Sequence, residues 1–373
     1  MKLLRTLSRI IIGLVFIFSG TVKAIDPLGF AYKFHDYFNA FHLGFLNNLS
    51  LPLAIFMCTA EFISGFAILT GFRHKTGIWG IIILLVIFTP LTFILALTNP
   101  VSDCGCFGDA IHLSNWQTFG KNIILCVLLI IIYKGRNKIK SPLNRTSEWV
   151  IIFIATLLFI IFSLANLRYL PVIDFLPYKT GVKIADKMGI PEDAPSDIYN
   201  TTFVYEKNGI KKEFSLHDYP ANDSTWKFVN QKSVLVKKGY VPPIHDFIIT
   251  SMTGGDITQK VLSFKGYSVL MISKKLSEAK QKSLAEGFKL GNLCTAKGIN
   301  FYILTSSGTD EVRRYENGLT FCSADETTLK TMMRSNPGYI LLKDGTIVGK
   351  WSWANVPKEE WFEKEINLTK VKK

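Results

Sequence analysis

The chain has 373 residues, of which 48% are hydrophobic, with 43 Lys and Arg against 29 Asp and Glu for a formal charge of +14. Its mean hydropathy of +0.24 is too high for an ordinary water-soluble protein of this length, so a wholly aqueous fold is excluded and membrane spans are sought first. The basic surplus does not indicate nucleic-acid binding: residues 168–373 carry 30 Lys and Arg against 23 Asp and Glu, dispersed in stretches such as "KNGIKKEF" and "ISKKLSEAKQK", the pattern of a solvated face near anionic headgroups.

Five runs approach the roughly 20 apolar residues needed to cross a hydrocarbon core: 3–22, 51–71, 77–98, 115–133 and 148–167. In the first, Gly13, Ser19 and Gly20 are small residues that let membrane helices approach closely. The same run also fits a cleaved leader, with Val22-Lys23-Ala24 as a loose cleavage site. Residues 26–50 are too polar and aromatic for a plain span and suit an interfacial or re-entrant helix. The second run contains Glu61, an ionisable group at a costly depth, which is either a functional residue or a helix-packing one. Pro90 is expected to kink the third.

Lys and Arg are retained on the cytoplasmic side of short loops. They cluster before the first run (Lys2, Arg5, Arg9), between the second and third (Arg73, Lys75), and between the fourth and fifth (Lys134, Arg136, Lys138, Lys140, Arg145). That pattern puts the loop 99–114 and everything after Arg168 together on the opposite side. The loop reads "DCGCFGD": Cys104 and Cys106 are separated by one glycine, which allows a turn tight enough to bring the sulfurs together. Asp103 and Asp109 are expected to disfavour a thiolate there. Redox pair and static staple both remain open on these residues, and a metal site from Cys104, Cys106, Asp103 and His112 fits no strong spacing.

Beyond the fifth run, a segment rich in Pro and charge reads as a connector. "TTFVYEKNGIKKEFSL" then gives a hairpin about "KNG", and "KSVLVKKGY" a further strand. From Val241 the pattern alternates: strand 267–273, an amphipathic helix from Lys275 to Gly298, strand 299–306, helix 325–335 with Asp325 as N-cap, and a closing hairpin about Asp344-Gly345. This order is that of an α/β sandwich with a central sheet.

With these motifs in view, the first half resembles the DoxX/MauE family of bacterial membrane proteins, on "SGTVKAID", the acidic "AEFISGFAILTGF" and "DCGCFGD". The resemblance implies periplasmic disulfide formation or delivery of reducing equivalents. The last 130 residues resemble a thioredoxin-like fold of the redoxin type, on "PPIHDFIITSMTGGDIT" and "SNPGYILLKDGTIVGKW", and this implies a cis peptide at Asn336-Pro337. The departure is chemical. Thioredoxins carry CxxC where strand meets helix, so that the helix N-terminus acidifies a thiol; here that junction reads "MISKKLSEA", without cysteine.

The expected fold is therefore multi-domain. Residues 1–135 form a DoxX/MauE-like transmembrane unit, 136–168 a cytoplasmic loop and an extra span, 169–239 an extracytoplasmic connector with a small hairpin, and 240–373 an α/β thioredoxin-like domain. The expected protein is a multi-pass protein of the bacterial inner membrane with a periplasmic C-terminal domain. Cys104 and Cys106 would exchange electrons with envelope thiol or disulfide proteins, with Glu61 as a candidate proton-handling or quinone-adjacent group. Asn336, Pro337 and Gly338 would dock an extended peptide edge. The rival reading is a non-catalytic scaffold with a structural CGC loop. Partners are membrane lipid and envelope proteins, not nucleic acid; no cofactor or metal is assigned, and a quinone has no direct sequence support. Cys58 and Cys126 read as small apolar side chains within spans, whereas Cys294 and Cys322 could be bonded to each other. His35, His42, His74, His217 and His245 read as surface or interfacial residues.

Overall fold

The computed structural model describes residues 2–101, 104–141, 143–216, 218–220, 223–315, 317–358 and 360. The chain divides into two compact units: Met1–Gly181 together with Ile248–Lys373, and Val182–Phe247.

The first unit begins with α1 (Lys2–Ile25), α2 (Pro27–Ala40) and a short 3-10 turn at Gly44–Leu49. It continues through α3 (Ser50–Thr70), α4 (His74–Thr98), α5 (Asn115–Lys134) and α6 (Arg145–Tyr169). Among the described residues, five helices are long and apolar enough to cross a membrane, and each coincides with one predicted span. The protein is a multi-pass membrane protein. Residues 22–24 lie inside α1, and α4 continues through Pro90. Glycines permit the closest approach in the bundle: a Cβ at Gly65 would stand 2.8 Å from the Gly13 carbonyl, and one at Gly20 would stand 2.6 Å from the Cys58 carbonyl. Without a hydrophobic drive between helices in lipid, such contact supplies the packing energy.

The loop after α4 is tied down by one side chain. The Asn115 amide donates to the carbonyls of Leu95 and Val101, at 3.3 and 3.0 Å, and to Asn99 Oδ1 at 2.8 Å. Ser114 and Gln117 form a capping box at the start of α5, satisfying backbone donors that the helix itself leaves open. Both ends of the CGC loop are thereby fixed to the bundle.

The second unit contains α7 (Ile184–Met188) and a three-stranded antiparallel sheet of β1 (Ile198–Lys207), β2 (Ile210–Ser215) and β3 (Lys227–Lys237), in the order β2-β1-β3. Asn208 and Gly209, both at positive φ, make the predicted hairpin turn, the geometry that matches the twist of two paired strands.

The remainder of the first unit is α/β: β4 (Thr250–Ser251), α8 (Thr258–Leu262), β5 (Tyr267–Ile272), α9 (Gln281–Ala296), β6 (Asn300–Thr305), α10 (Thr309–Arg313), β7 (Thr320–Ser323), α11 (Glu326–Met332), β8 (Gly338–Lys343) and β9 (Thr346–Ser352). The strand order is β4-β7-β6-β5-β8-β9, with β5, β6 and β7 parallel and β8 and β9 antiparallel. Met271, Phe301, Ile303, Tyr339 and Leu341 are among the side chains that fill its core. The Asn336-Pro337 peptide is cis and Asp325 caps α11, both as expected. One boundary differs: α9 starts at Gln281, not at the strand end. The intervening amides are claimed elsewhere, Leu276 N by the Ser307 hydroxyl at 3.0 Å and Ser277 N by Glu311 at 2.6 Å, so the segment turns before it coils.

Candidate functional site

The CGC loop folds back against α1 and α2. Gly105 has a φ of +65°, a conformation other residues resist, and the turn sets the Cys104 and Cys106 sulfurs 3.0 Å apart. Both cysteines are free thiols. Cys104 is 5% exposed and its carbonyl accepts a 2.5 Å hydrogen bond from the Tyr37 hydroxyl of α2. Cys106 is half-buried. The sulfurs line a narrow cavity of about 40 Å³ whose apolar walls include Phe16, Phe30, Phe34, Leu84 and Phe88, enough room for one or two waters.

Beneath the thiols lies a buried ion pair. Lys23 Nζ of α1 sits 2.6 and 2.8 Å from the two oxygens of Glu61 on α3. The Ser19 hydroxyl stands 2.8 Å from Glu61 Oε2 and 2.8 Å from the Cys106 carbonyl, and its single proton serves one of them at a time. The pair is thus joined to the CGC backbone by one hydroxyl. Lys121 of α5 holds its ammonium 4.6 Å above the Phe107 ring. The hydrogen bond from Cys104, aided by the positive charges of Lys121 and Lys23, outweighs burial and pulls the Cys106 thiol down to about 6. The same hydrogen bond, together with burial, pushes the Cys104 thiol up. One acidic and one reluctant thiol in contact are the parts of an attacking and a resolving cysteine.

This corrects the expected effect of Asp109. Its carboxylate does not bear on the thiols as a free charge, because Arg334 Nη2 pairs with it at 2.8 Å. Asp103 lies outside the described residues. Arg334 also places Nε 2.7 Å from Asp26 Oδ2, while the other oxygen of Asp26 caps α2 by accepting from Gly29 N at 2.9 Å. Arg334 precedes the cis-proline loop by two residues. One guanidinium therefore clamps the α/β domain to the end of α1 and to the CGC loop together. Beside it, Lys274 Nζ lies 2.7 Å from the Tyr32 hydroxyl of α2. The junction after β5 therefore looks onto the bundle, at the same end as Cys104 and Cys106.

Asn336 is hydrogen-bonded to Ser273 at 3.1 Å and to the Lys275 carbonyl at 3.1 Å. Its own carbonyl accepts from Lys280 N at 3.2 Å. Gly338 lies in β8, which is paired on both sides by β5 and β9. Addition of a peptide strand at Gly338 is therefore closed, because both edges are occupied. Cys294 and Cys322 are free, not bonded; burial pushes their thiols up to about 12 and about 11. Cys58 packs with Ala24 and Phe159, and Cys126 in a different cluster with Leu125 and Ile81. His74 links the carbonyls of Gly71 and Arg136, at 3.1 and 3.0 Å, and so ties two connecting loops together; His217 lies outside the described residues.

Residues 1–134 match the family described as methylamine utilisation protein MauE. This part of the chain, with its first four long apolar helices, is similar to that family. Its match ends at the last residue of α5, so α6 stands outside it, and residues 199–238 match a domain of unknown function, DUF8463. No curated protein matches the chain. A solution structure of a candidate protein disulfide isomerase from Bacteroides thetaiotaomicron is similar to the C-terminal region, at 15% identity over 34% of this chain and 84% of that one, with a TM-score of 0.26.

Lys23, Asp26, Tyr37 and Arg334 were not singled out from the sequence. One signal was there for Lys23. It lies at the end of an apolar run whose neighbour carries the acidic residue Glu61, and opposite charges within spans tend to pair.

Proposed function

We propose that this protein is a membrane thiol–disulfide oxidoreductase of the bacterial envelope, working on the non-cytoplasmic side through Cys106 and Cys104. The observation that carries this is the contact between an acidic, half-buried thiol and a buried, less acidic one, at the end of the bundle held by Arg334. In the reduced state the Cys106 thiolate attacks a client disulfide, forming a mixed disulfide and releasing one client thiolate, which takes up a proton. Cys104 then loses its proton and attacks the Cys106 sulfur, closing the Cys104–Cys106 disulfide and releasing the second client thiol. Two electrons have passed to the client, and a dithiol protein of the same compartment returns them by the reverse exchange. Lys23 stabilises the thiolate form of Cys106. Glu61 holds Lys23 in place, a positioning role.

The α/β domain, lacking CxxC, acts as a docking module. Client recognition falls to side chains around Asn336 and Pro337, since the main chain there is already paired. The test is a Cys104→Ser variant, which retains the attacking thiol without its resolving partner. It should accumulate mixed disulfides with envelope proteins that are absent from Cys106→Ser; an empty trap under oxidative and reductive challenge argues against exchange. A second reading, a partner-binding scaffold with a static CGC loop, is favoured by the lysines at 274 and 275 in place of cysteines. It predicts that alkylation of Cys104 and Cys106 is the same before and after mild reductant.

A further inference from the structure

A cavity of about 920 Å³ opens where the α/β domain meets the ends of α2, α3 and α6. Its two sides differ in chemistry. One is apolar and belongs to the membrane helices: Leu51 in the first turn of α3, and Leu164 and Leu167 near the end of α6. The other is cationic and carries Lys274, Lys275, Lys280, Lys330, Arg334 and Arg168.

Three of these charges are matched by carboxylates. Lys275 pairs with Glu278 at 3.4 Å, Lys330 with Glu326 at 2.7 Å, and Arg334 with Asp26 and Asp109. The other three, Lys274, Lys280 and Arg168, have no carboxylate within ion-pair distance among the described residues. Lys280 and Arg168 lie 5.5 and 5.7 Å from the Trp353 ring, placing an aromatic between two cations at the level where a span ends. Lys274 is only 8% exposed, and the one hydrogen-bond partner of its ammonium among the described residues is the Tyr32 hydroxyl. An ammonium buried without a counter-ion is costly, and Lys274, with the exposed Lys280 and Arg168 beside it and an apolar wall opposite, calls for an anion carrying its own hydrocarbon.

We propose that this cavity binds an anionic phospholipid, with its phosphate among Lys274, Lys280 and Arg168 and its acyl chains along Leu164, Leu167 and Leu51. Basic pockets between membrane helices select lipid headgroups by charge. Trp353 and Tyr32 line the cavity beside the end of α6, and amphipathic rings are favoured at the ends of spans. Burial, with Arg334 and Lys330 beside it, pulls the Lys274 ammonium down to about 7, against the opposing pull of Asp26 and Glu326; a phosphate would restore its proton. The lipid would fill the gap beneath the cis-proline loop and fix the height of the α/β domain above the bilayer.

The test is lipid retention by the full-length protein, measured by native mass spectrometry after exchange into phosphatidylglycerol or phosphatidylcholine micelles. The expected result is preferential retention of phosphatidylglycerol, weakened roughly fivefold for each cation removed in Lys274→Gln, Lys280→Gln and Arg168→Gln. The last two alter exposed side chains and leave the fold intact should Lys274→Gln disturb it. Equal retention of the two lipids, or no change in Lys280→Gln and Arg168→Gln, overturns the proposal. Two competition arms separate other anions. Displacement of phosphatidylglycerol by millimolar inorganic phosphate would make this a site for a free anion, and displacement by a peptide rich in Asp and Glu would make it a peptide groove; either contradicts a lipid site.

Discussion

The CGC loop and the junction after β5 pose the same problem and answer it in opposite ways. The loop has two thiols but neither the strand-to-helix turn nor the helix N-terminus that acidifies a thioredoxin cysteine. The junction lies beside the cis Asn336-Pro337 peptide but carries Ser273, Lys274, Lys275 and Leu276, and α9 begins only at Gln281. In the loop, acidity arises from a neighbouring thiol, from Lys121 and from Lys23, the last held in place by a buried carboxylate. At the junction, burial acts on a lysine. The difference teaches that positive charge can reach a sulfur from lysines on neighbouring helices as well as from a helix N-terminus.

The comparison breaks most visibly at the sulfur itself. Cys106→Ser should lower the rate of exchange with a model disulfide by on the order of 10³-fold or more, measured by stopped-flow on the protein in detergent, whereas Cys322→Ser should leave it unchanged. Next comes the buried pair. Lys23→Met leaves Glu61 without a counter-ion and should cost about 3–5 kcal/mol in thermal or denaturant unfolding. Adding Glu61→Leu should recover most of that loss while the Cys106 thiol remains less acidic than in the wild type. Such a result would separate the structural role of the pair from its effect on the thiol.

Arg334→Ala is expected to cost less, about 2–3 kcal/mol, because Asp109 is 21% exposed and regains water. With Asp109 uncompensated, the Cys106 thiol should also become less acidic, which the pH profile of alkylation would register. The smallest effect is the profile of the wild type. With the thiol at about 6, the reactive thiolate is present above that pH and lost below it. Alkylation of Cys106 should therefore fall about tenfold from pH 7 to pH 5. Cys294 and Cys322, protonated throughout that range, should stay unreactive.

Much of the architecture was legible in the sequence because it is local. The five spans follow from unbroken apolar runs, the hairpins from "KNG" and "KDG", and the α11 cap from Asp325. The start of α9 was not legible, since Ser307 and Glu311, distant in sequence, claim the amides that would have opened it. β4 and β7, of two and four residues, are too short to show a period. At the site, the cysteines and Glu61 stood out by type and place. Their partners did not: Lys23 and Glu61 are 38 residues apart, and Arg334 reaches Asp26 across 308, separations that only the folded chain closes. The expected influence of Asp109 is offset for the same reason, because the charge that neutralises it comes from the other end of the protein.

The most direct measurement is a redox titration of the full-length protein in lipid nanodiscs, with Cys104 and Cys106 read by differential alkylation and mass spectrometry across buffers spanning the envelope poise. A reversible two-electron transition between dithiol and disulfide, absent from Cys294 and Cys322, is the predicted result. A pair that stays fully oxidised or fully reduced at every potential in that range would contradict the account.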